Sequence, residues 1–356
     1  MTPKFHTLTI ENIHLETEDT ISVSFAIPED LKSDYTFKAG QYLTLKAIIN
    51  GQDVRRSYSI CKSPSENELR VAIKKVENGL FSNWAFESLK EKMELEVMTP
   101  TGHFTFEPNP SNSNSYLLIA AGSGITPVMS IAKTILLNEP NSFVNLIYGN
   151  KGFSSIIFRE EIEGLKNKFL DKFRVIHVLS RESLGNQLQK GRIDKEKVTK
   201  IHKSLLANEN LSAVYICGPE SMILSSKEAL AECGVDEKNI HFELFGVSPV
   251  KKSETKTEND ADNVKSKVTI ILDGDHIDLD LDSSGKNILE AGFDAGADLP
   301  YACKGGVCCT CKAKILEGTA SMDLNYSLEK DEVEAGYILT CQAHPTSEKL
   351  VVSFDD

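Results

Sequence analysis

Four cysteines near the C-terminus constrain this sequence more than any other feature. Cys303, Cys308 and Cys311 follow the spacing C-x4-C-x2-C, and Cys341 lies 29 residues beyond them. Five of the eight cysteines of the 356-residue chain lie after residue 300. In a chain expected to lie in a reducing compartment, such a cluster favours a metal site over disulfide bonds. The sequence therefore predicts a centre held by four thiolates, with three ligands on one loop and the fourth on a distant strand.

The spacing separates three kinds of metal centre. A zinc ribbon usually needs two C-x2-C pairs, whereas Cys308-x2-Cys311 is one such pair. A Rieske centre needs paired histidine ligands, and Cys341-x2-His344 resembles one half of that motif without a C-x-H first half. The spacing C-x4-C-x2-C…C is that of a plant-type [2Fe–2S] cluster, in which each iron takes two thiolates. We therefore predict that Cys303, Cys308, Cys311 and Cys341 are the cluster ligands.

The loop between these cysteines carries further information. Gly305 and Gly306 allow backbone N–H groups to turn toward the sulfur atoms. Cys309 is interpreted as a small buried side chain, because its use as a ligand would spoil the spacing. Residues 303–308 and 339–341 resemble the cluster loop and the fourth-ligand segment of plant-type ferredoxins. The resemblance covers residues 267–356 and implies an α+β ferredoxin domain of the β-grasp type.

Composition and charge exclude several classes of protein. The formal net charge is −13, and residues 267–356 carry 17 acidic against 7 basic side chains. An acidic module of this kind is a poor nucleic-acid binder. It either steers the chain toward a basic protein partner or simply keeps the chain in solution. The N-terminus shows no signal-peptide pattern, and no run of about 18 apolar residues is present, so we expect a cytoplasmic protein without a membrane segment.

Periodicity divides this multidomain chain into four segments. Residues 1–110 contain short alternating strands separated by turns, which predicts a small antiparallel β-barrel. Residues 111–246 alternate apolar strands with helices, which predicts an α/β domain with a doubly wound parallel sheet. Residues 247–266 are polar and are interpreted as a flexible linker that lets the last segment swing. Residues 267–356 open with a hairpin around Asp273-Gly274 and continue with a helix.

The first segment resembles the flavin site of the ferredoxin–NADP reductase family. Residues 56–59 match the R-x-Y-S motif of that family, and residues 40–42 match its upstream G-Q-[FY] element. The resemblance implies that the Ser59 hydroxyl reaches flavin N5, and FAD is favoured over FMN. Ser82 is expected to begin a helix whose N-terminus suits a pyrophosphate, with a helix cap that binds no ligand as the alternative. The candidate flavin residues are Arg56, Ser57, Tyr58, Ser59, Ile73, Lys74, Gly79 and Ser82.

The second segment resembles the nicotinamide site of the same family. Residues 120–127 (Ala-Ala-Gly-Ser-Gly-Ile-Thr-Pro) join a strand to a helix, so the glycines allow close approach to a pyrophosphate. Residues 217–219 match the family's C-G-P motif, which implies that Cys217 lies near the nicotinamide; a buried strand cysteine is the alternative. Residues 180–182 match its S-R-E segment for the 2′-phosphate, so NADPH is favoured over NADH. The candidate residues are Gly122, Gly124, Thr126, Pro127, Ser180, Arg181, Cys217 and Gly218.

Three further side chains belong to this interpretation. Arg159 and Arg192 are candidate helpers for the phosphate, with solvated surface charges as the alternative. Family members often place an aromatic or acidic residue of the segment 241–245 near the flavin ring. Phe245 is the candidate here, and a core phenylalanine is the alternative.

The order of barrel, α/β domain, linker and ferredoxin resembles the reductase components of multicomponent oxygenases. The resemblance implies that hydride passes from the nicotinamide to FAD in a site bounded by Ser59 and Cys217, the two catalytic candidates. A flavin converts this two-electron donation into the single electrons that a [2Fe–2S] cluster accepts. The implied partner is an oxygenase or hydroxylase component of the di-iron type. A reductase of another oxygenase or of a desaturase, and a redox-sensing module, are the alternatives.

Overall fold

A computed structural model of the chain describes residues 4–183, 185–245 and 264–355. Contacts divide the chain into two units. One unit contains residues 5–54 and 58–245, and the other contains the C-terminal residues from 264 onward together with residues 55–57. Among the described residues, no helix combines the length and the apolar character that crossing a membrane requires.

The first sheet is antiparallel and closes into a barrel. Its strands are β1 (Phe5–Thr17), β2 (Thr20–Ala26), β3 (Tyr42–Ile49), β4 (Gln52–Ser59), β5 (Leu69–Lys74) and β6 (Glu94–Met98), in the order β4-β3-β6-β1-β2-β5. A bridge between Ile60 and Val71 joins the two ends of this order. Alternate side chains of each strand point inward, so that residues such as Leu8 and Val23 are fully buried. Helix α1 (Leu80–Ser88) follows β5.

The second sheet is parallel and is flanked by helices. Its elements are β7 (Ser115–Ala121), α2 (Ile125–Asn138), β8 (Phe143–Asn150), α3 (Arg159–Lys168), β9 (Phe173–Leu179), α4 (Lys195–Ile201), β10 (Leu211–Cys217), α5 (Glu220–Glu232) and β11 (Ile240–Glu243). The strand order β11-β10-β7-β8-β9 reverses beside β7, as in the expected doubly wound fold. Helix α2 is buried along its whole length from Ile125 to Leu136. The helix expected over residues 195–206 ends at Ile201 and continues as a π-helical segment, His202–Leu206.

The C-terminal unit has the mixed sheet expected of a ferredoxin domain. Its elements are β12 (Lys265–Leu272), β13 (Asp275–Asp282), α6 (Ile288–Asp294), β14 (Lys312–Glu317), β15 (Ala320–Met322), α7 (Lys330–Glu334), β16 (Tyr337–Leu339), β17 (Ala343–Pro345) and β18 (Lys349–Ser353). The main sheet has the order β13-β12-β18-β14-β16, and β15 pairs with β17. The parallel pair β12–β18 carries Val268, Ile270, Leu350 and Val352 into the core.

The predicted linker lies mostly outside the described residues. Residues 247–263 of the predicted segment 247–266 belong to this part of the chain. Lys265 and Ser266 already form the start of β12, so the strand begins two residues before the expected boundary at residue 267.

Candidate functional site

A glycine turn lies at the carboxyl edge of the parallel sheet. Residues Gly122–Gly124 form a 3₁₀ turn between β7 and α2. Gly122 has φ +55°, and a Cβ added there would meet nothing within 4 Å, whereas a Cβ on Gly124 would lie 2.2 Å from the carbonyl oxygen of Cys217. Thr126 and Pro127 are buried in the first turn of α2, where the missing N–H of Pro127 costs no helical hydrogen bond. The turn therefore exposes backbone at the edge where nucleotides bind in such sheets.

The two catalytic candidates lie on either side of a third residue, Glu243. Cys217 ends β10 and is fully buried, and Glu243 ends β11 directly opposite it in the parallel register. Ser59 ends β4 of the barrel, and its hydroxyl donates to Glu243 Oε2 over 3.4 Å. The parallel register of β10 and β11 thus brings a thiol and a carboxyl group together, and the barrel adds a hydroxyl. Ser59 and Cys217 are therefore brought into one site by the fold.

The ionisation of this site is dominated by burial. Loss of hydration raises the pKa of Glu243 from 4.5 to about 8, although the hydrogen bond from Ser59 acts in the opposite direction. Burial also raises the pKa of Cys217 well above its usual range, and the nearby Glu243 adds to this effect. Both groups are therefore protonated at neutral pH, and the site presents hydrogen-bond donors rather than fixed charges.

The outer nicotinamide residues surround the same edge of the sheet. Gly218 follows Cys217, and a Cβ on Gly218 would lie 2.6 Å from the Met222 side chain, so this position tolerates only glycine without rearrangement. Ser180 and Arg181 follow β9 and are exposed. Their backbone N–H groups donate to the carbonyl oxygens of residues 150 and 151 at 2.9 and 2.8 Å. The exposed Arg181 side chain at this edge is available for an anionic group.

The two helper arginines are placed differently. Arg159, at the start of α3, stacks its guanidinium over the Phe153 ring at 4.6 Å. Arg192 is exposed in the loop before α4. Their roles toward a phosphate stay predictions.

The flavin candidates lie on β4, β5 and α1. Tyr58 is half-buried, with its ring centroid 5.8 Å from that of Phe81. Ile73 is fully buried, and the Lys74 ammonium lies 3.1 Å from the Asp19 carboxylate. On β4, Arg56 is exposed and Ser57 is half-buried.

The helix start differs from the expectation for Ser82. Helix α1 begins at Leu80 with Gly79 as its N-cap, so Ser82 is the third helical residue rather than the first. The Ser82 hydroxyl accepts from the backbone N–H of Val76 at 3.1 Å, and a Cβ on Gly79 would lie 2.6 Å from it. Serine is therefore neither the first residue nor the cap of this helix, and it tightens the turn that precedes the helix.

The segment 241–245 contributes its acidic residue to the site. Glu243 lies beside Ser59 and Cys217, whereas Phe245 lies beyond the end of β11 and is 44% exposed. The exposure of Phe245 excludes the core-phenylalanine alternative. Glu243 was detectable from the sequence only through its position opposite the end of the Cys217 strand, which depends on strand register. Phe245 stays a prediction.

The four cluster cysteines form two pairs in the C-terminal unit. The Sγ atoms of Cys303 and Cys308 lie 3.0 Å apart, and the thiols of Cys311 and Cys341 hydrogen-bond to each other. Cys311 immediately precedes β14, and Cys341 follows β16, its antiparallel neighbour, so the sheet brings both ends together. Two pairs of thiols suit two irons with two thiolates each. The residues present therefore fit a [2Fe–2S] cluster.

Backbone amides surround these sulfur atoms. The N–H of Gly305 donates to Cys303 Sγ at 3.3 Å, and the N–H of Gly306 interacts with Cys341. The hydrogen bond from Cys308 and those from the backbone lower the pKa of the Cys303 thiol to about 6. Gly306 has φ +72°, which a residue with a side chain rarely adopts. The Cys309 thiol instead donates to the carbonyl oxygen of Ser327 at 3.3 Å.

Comparisons with protein families match all three segments. Residues 7–106 match the oxidoreductase FAD-binding domain, residues 118–228 the oxidoreductase NAD-binding domain, and residues 270–346 the 2Fe-2S iron-sulfur cluster binding domain. Phthalate dioxygenase reductase has the same fold, with a TM-score of 0.59 and 24% identity over 98% of each chain.

Two relatives match over nearly their whole lengths. The chain is 43% identical over 352 residues to one of the subunits of the 1,2-phenylacetyl-CoA epoxidase of Escherichia coli (strain K12), which covers 99% of this chain and 98% of the relative. It is 32% identical over 358 residues to the 3-ketosteroid-9-alpha-monooxygenase, ferredoxin reductase component, of Rhodococcus rhodochrous, which covers 98% and 96%.

The fold and the three matched modules define an NAD(P)H-dependent oxidoreductase that carries FAD and a [2Fe–2S] cluster for electron transfer. Within that class, the chain belongs to the ferredoxin reductase family that supplies the reductase components of oxygenases.

Proposed function

We propose that this chain carries electrons from NADPH to the oxygenase component of a phenylacetyl-CoA epoxidase. The observation that supports the redox site most directly is the convergence of Ser59, Cys217 and Glu243 at the carboxyl edge of the parallel sheet, beside the Gly122–Gly124 turn. Bound FAD and a bound cluster supply the conversion of two-electron donation into single-electron transfer.

The chain's own residues orient the reactants and keep water away. Buried Cys217 and half-buried Glu243 form an uncharged wall at neutral pH, and the Ser59 hydroxyl is held by Glu243. A fixed hydroxyl and a protonated carboxyl group are donors that can hold one defined arrangement of a nicotinamide against a flavin. Water exclusion strengthens these contacts.

Four thiolates hold the cluster in this proposal. Cys303 and Cys308 bind one iron, and Cys311 and Cys341 bind the other, since the thiols already lie in these pairs. The Gly305 and Gly306 N–H groups hydrogen-bond to the sulfur atoms, which favours the more negative, reduced state.

The preference for NADPH rests on Arg181. Its exposed side chain follows β9 at the carboxyl edge, where the guanidinium group is available to a dianionic phosphate. NADH, which lacks the 2′-phosphate, leaves Arg181 without this partner.

The partner is inferred from the relatives. The E. coli relative belongs to a phenylacetyl-CoA epoxidase, and 43% identity over nearly the full length supports the same assembly for this chain. We infer an oxygenase partner of the di-iron type, a cytoplasmic location and a role in phenylacetate catabolism. We also infer domain boundaries near residues 110 and 246, between the three family matches.

An anaerobic titration of the purified protein tests the electron path. We expect the flavin and [2Fe–2S] absorbance bands both to bleach, faster with NADPH than with NADH. Bleaching of the flavin alone would contradict the internal path, and iron-replete protein without cluster absorbance would contradict the cofactor assignment. A protein that is reduced but never delivers electrons to an artificial acceptor would favour a redox-sensing module.

The partner is tested by mixing the reduced chain with candidate oxygenase components. Reoxidation of the cluster should be faster with a phenylacetyl-CoA epoxidase oxygenase than with a 3-ketosteroid monooxygenase oxygenase. The opposite order would assign the chain to another oxygenase.

A further inference from the structure

A buried set of charges lies between the barrel strands and the helices of the parallel sheet, within one unit of the chain. Three cations and three carboxylates contribute. This bridging ion network consists of Lys62, Glu66, Glu68, Arg70, Lys133 and Glu161. The first four residues follow β4 or lie on β5, whereas Lys133 lies on α2 and Glu161 on α3.

Lys133 and Glu161 are the centre of this network. The Lys133 side chain is 2% exposed, and its ammonium lies 3.1 Å from Glu66 and in contact with Glu161. Glu161 also accepts from Lys62 at 3.3 Å and from Arg70 at 2.9 Å. Burial alone would raise the pKa of Glu161, but Lys133 and Arg70 outweigh it and lower the pKa. Each charge from the helices is therefore matched by charges from the barrel.

Uncharged hydrogen bonds reinforce the same contact. The Ser130 hydroxyl of α2 donates to the carbonyl oxygen of Lys62 at 2.6 Å. One turn later, the Thr134 hydroxyl lies 2.9 Å from the Ser63 hydroxyl. Ser130, Lys133 and Thr134 thus form a polar face on a helix that is otherwise packed among apolar side chains. This face points to the segment that leads from β4 to β5.

The two ends of the network are connected to the two nucleotide sites. Helix α2 begins at Ile125, directly after the Gly122–Gly124 turn, so its axial position sets the position of that turn. Arg70 lies on β5, three residues before Ile73, and Lys62 follows Ser59 by three residues. A displacement of α2 relative to the barrel would therefore change the distance between the nicotinamide turn and the flavin residues.

We propose that the bridging ion network is a positioning device that fixes the nicotinamide turn relative to the flavin barrel for electron transfer. This inference rests on the proposed function. Buried ion pairs stabilise a fold little in comparison with apolar packing, because dehydration of the charges offsets their attraction. They have strict directional requirements, and reaction rates depend on placement to within about 1 Å. Lys62, Arg70, Lys133 and Glu161 are thus positioning residues that act through α2 and β5.

The experiment compares two variants of the full-length, cofactor-loaded protein. Lys133→Met removes one charge and leaves a buried carboxylate with fewer partners, so it should lower the melting temperature. Lys133→Met combined with Glu161→Gln removes one charge of each sign, so it should recover most of that loss. Glu209→Gln is the matched control, because Glu209 pairs with Arg174 at 3.0 Å on the same sheet and accepts its other hydrogen bonds from side chains of β7 and β8.

The limiting rate of flavin reduction at saturating NADPH separates positioning from stability. We expect the rate to fall about tenfold to a hundredfold in both variants, with the dissociation constant for NADPH within about twofold of wild type. The absorbance band of the complex between reduced flavin and oxidised nicotinamide should weaken in parallel. Wild-type rates in both variants, or a rate that recovers together with the melting temperature in the double variant, would overturn the proposal.

Hydrogen–deuterium exchange supplies a readout that needs no turnover. Amides of residues 122–130 should exchange faster in both variants and at the wild-type rate in Glu209→Gln. Unchanged exchange in the double variant would count against the network even if rates fell. A wild-type protein that neither NADPH nor NADH reduces would overturn the proposed function alone, because the exchange comparison still tests the link between the network and the turn.

Discussion

Replacement of Glu243 by glutamine should change the pH dependence of stability. Burial raises the pKa of Glu243 from 4.5 to about 8. The folded chain keeps this proton up to about pH 8, whereas the unfolded chain releases it near pH 4.5, so the stabilising contribution is complete below pH 4.5 and is lost as the pH rises to about 8. At about 1.4 kcal/mol per pKa unit the full shift corresponds to about 5 kcal/mol. Because solvent reaches part of the side chain, we expect roughly half, ~2 kcal/mol.

Urea unfolding of the cofactor-loaded protein, followed by flavin fluorescence, measures this effect. Wild type should lose ~2 kcal/mol relative to Glu243→Gln between about pH 5 and about pH 8. Glu209→Gln is the control: burial alone would raise the pKa of Glu209, but its hydrogen bonds to Ser115, Arg174 and Asn145 outweigh burial and lower it. Its difference from wild type should stay constant over this range. A constant difference for Glu243→Gln as well would refute a raised pKa at this site.

Other substitutions test the remaining parts of the site. Cys303→Ser should abolish the [2Fe–2S] absorbance, whereas Cys309→Ser should retain it, since the Cys309 thiol donates to a carbonyl group outside the two cysteine pairs; equal spectra would contradict the ligand assignment. Gly124→Ala should destabilise the protein by about 1–3 kcal/mol in thermal or urea unfolding, because its Cβ would lie 2.2 Å from the Cys217 carbonyl oxygen. Arg181→Ala should raise KM for NADPH about tenfold, the loss of one charged hydrogen bond, and leave KM for NADH unchanged in steady-state assays.

The sequence predicts the architecture well where hydrophobic periodicity is unambiguous. The apolar runs of β7, β8 and β10 are buried on both faces of a parallel sheet, so each was recognisable as a strand with its ends within two residues. The helix expected up to residue 206 ended at Ile201, because helical periodicity continues through the π-helical segment and does not distinguish it. Strand β11 has four residues, which is too short for a periodic signal.

Local and remote site residues differ in how far sequence reasoning reaches them. Three of the four cysteines lie within nine residues on one loop, so their spacing alone indicates a shared centre. Ser59, Cys217 and Glu243 end three different strands, and their proximity depends on strand order and register. A choice by residue type favoured the aromatic Phe245. Because parallel strands end at one edge, the residue that faces Cys217 is the one that ends the adjacent strand, and a carboxyl group there loses its hydration to the same burial that protects the thiol. The property that makes Glu243 chemically useful, its retained proton, therefore follows from the sheet and not from the residues beside it in sequence.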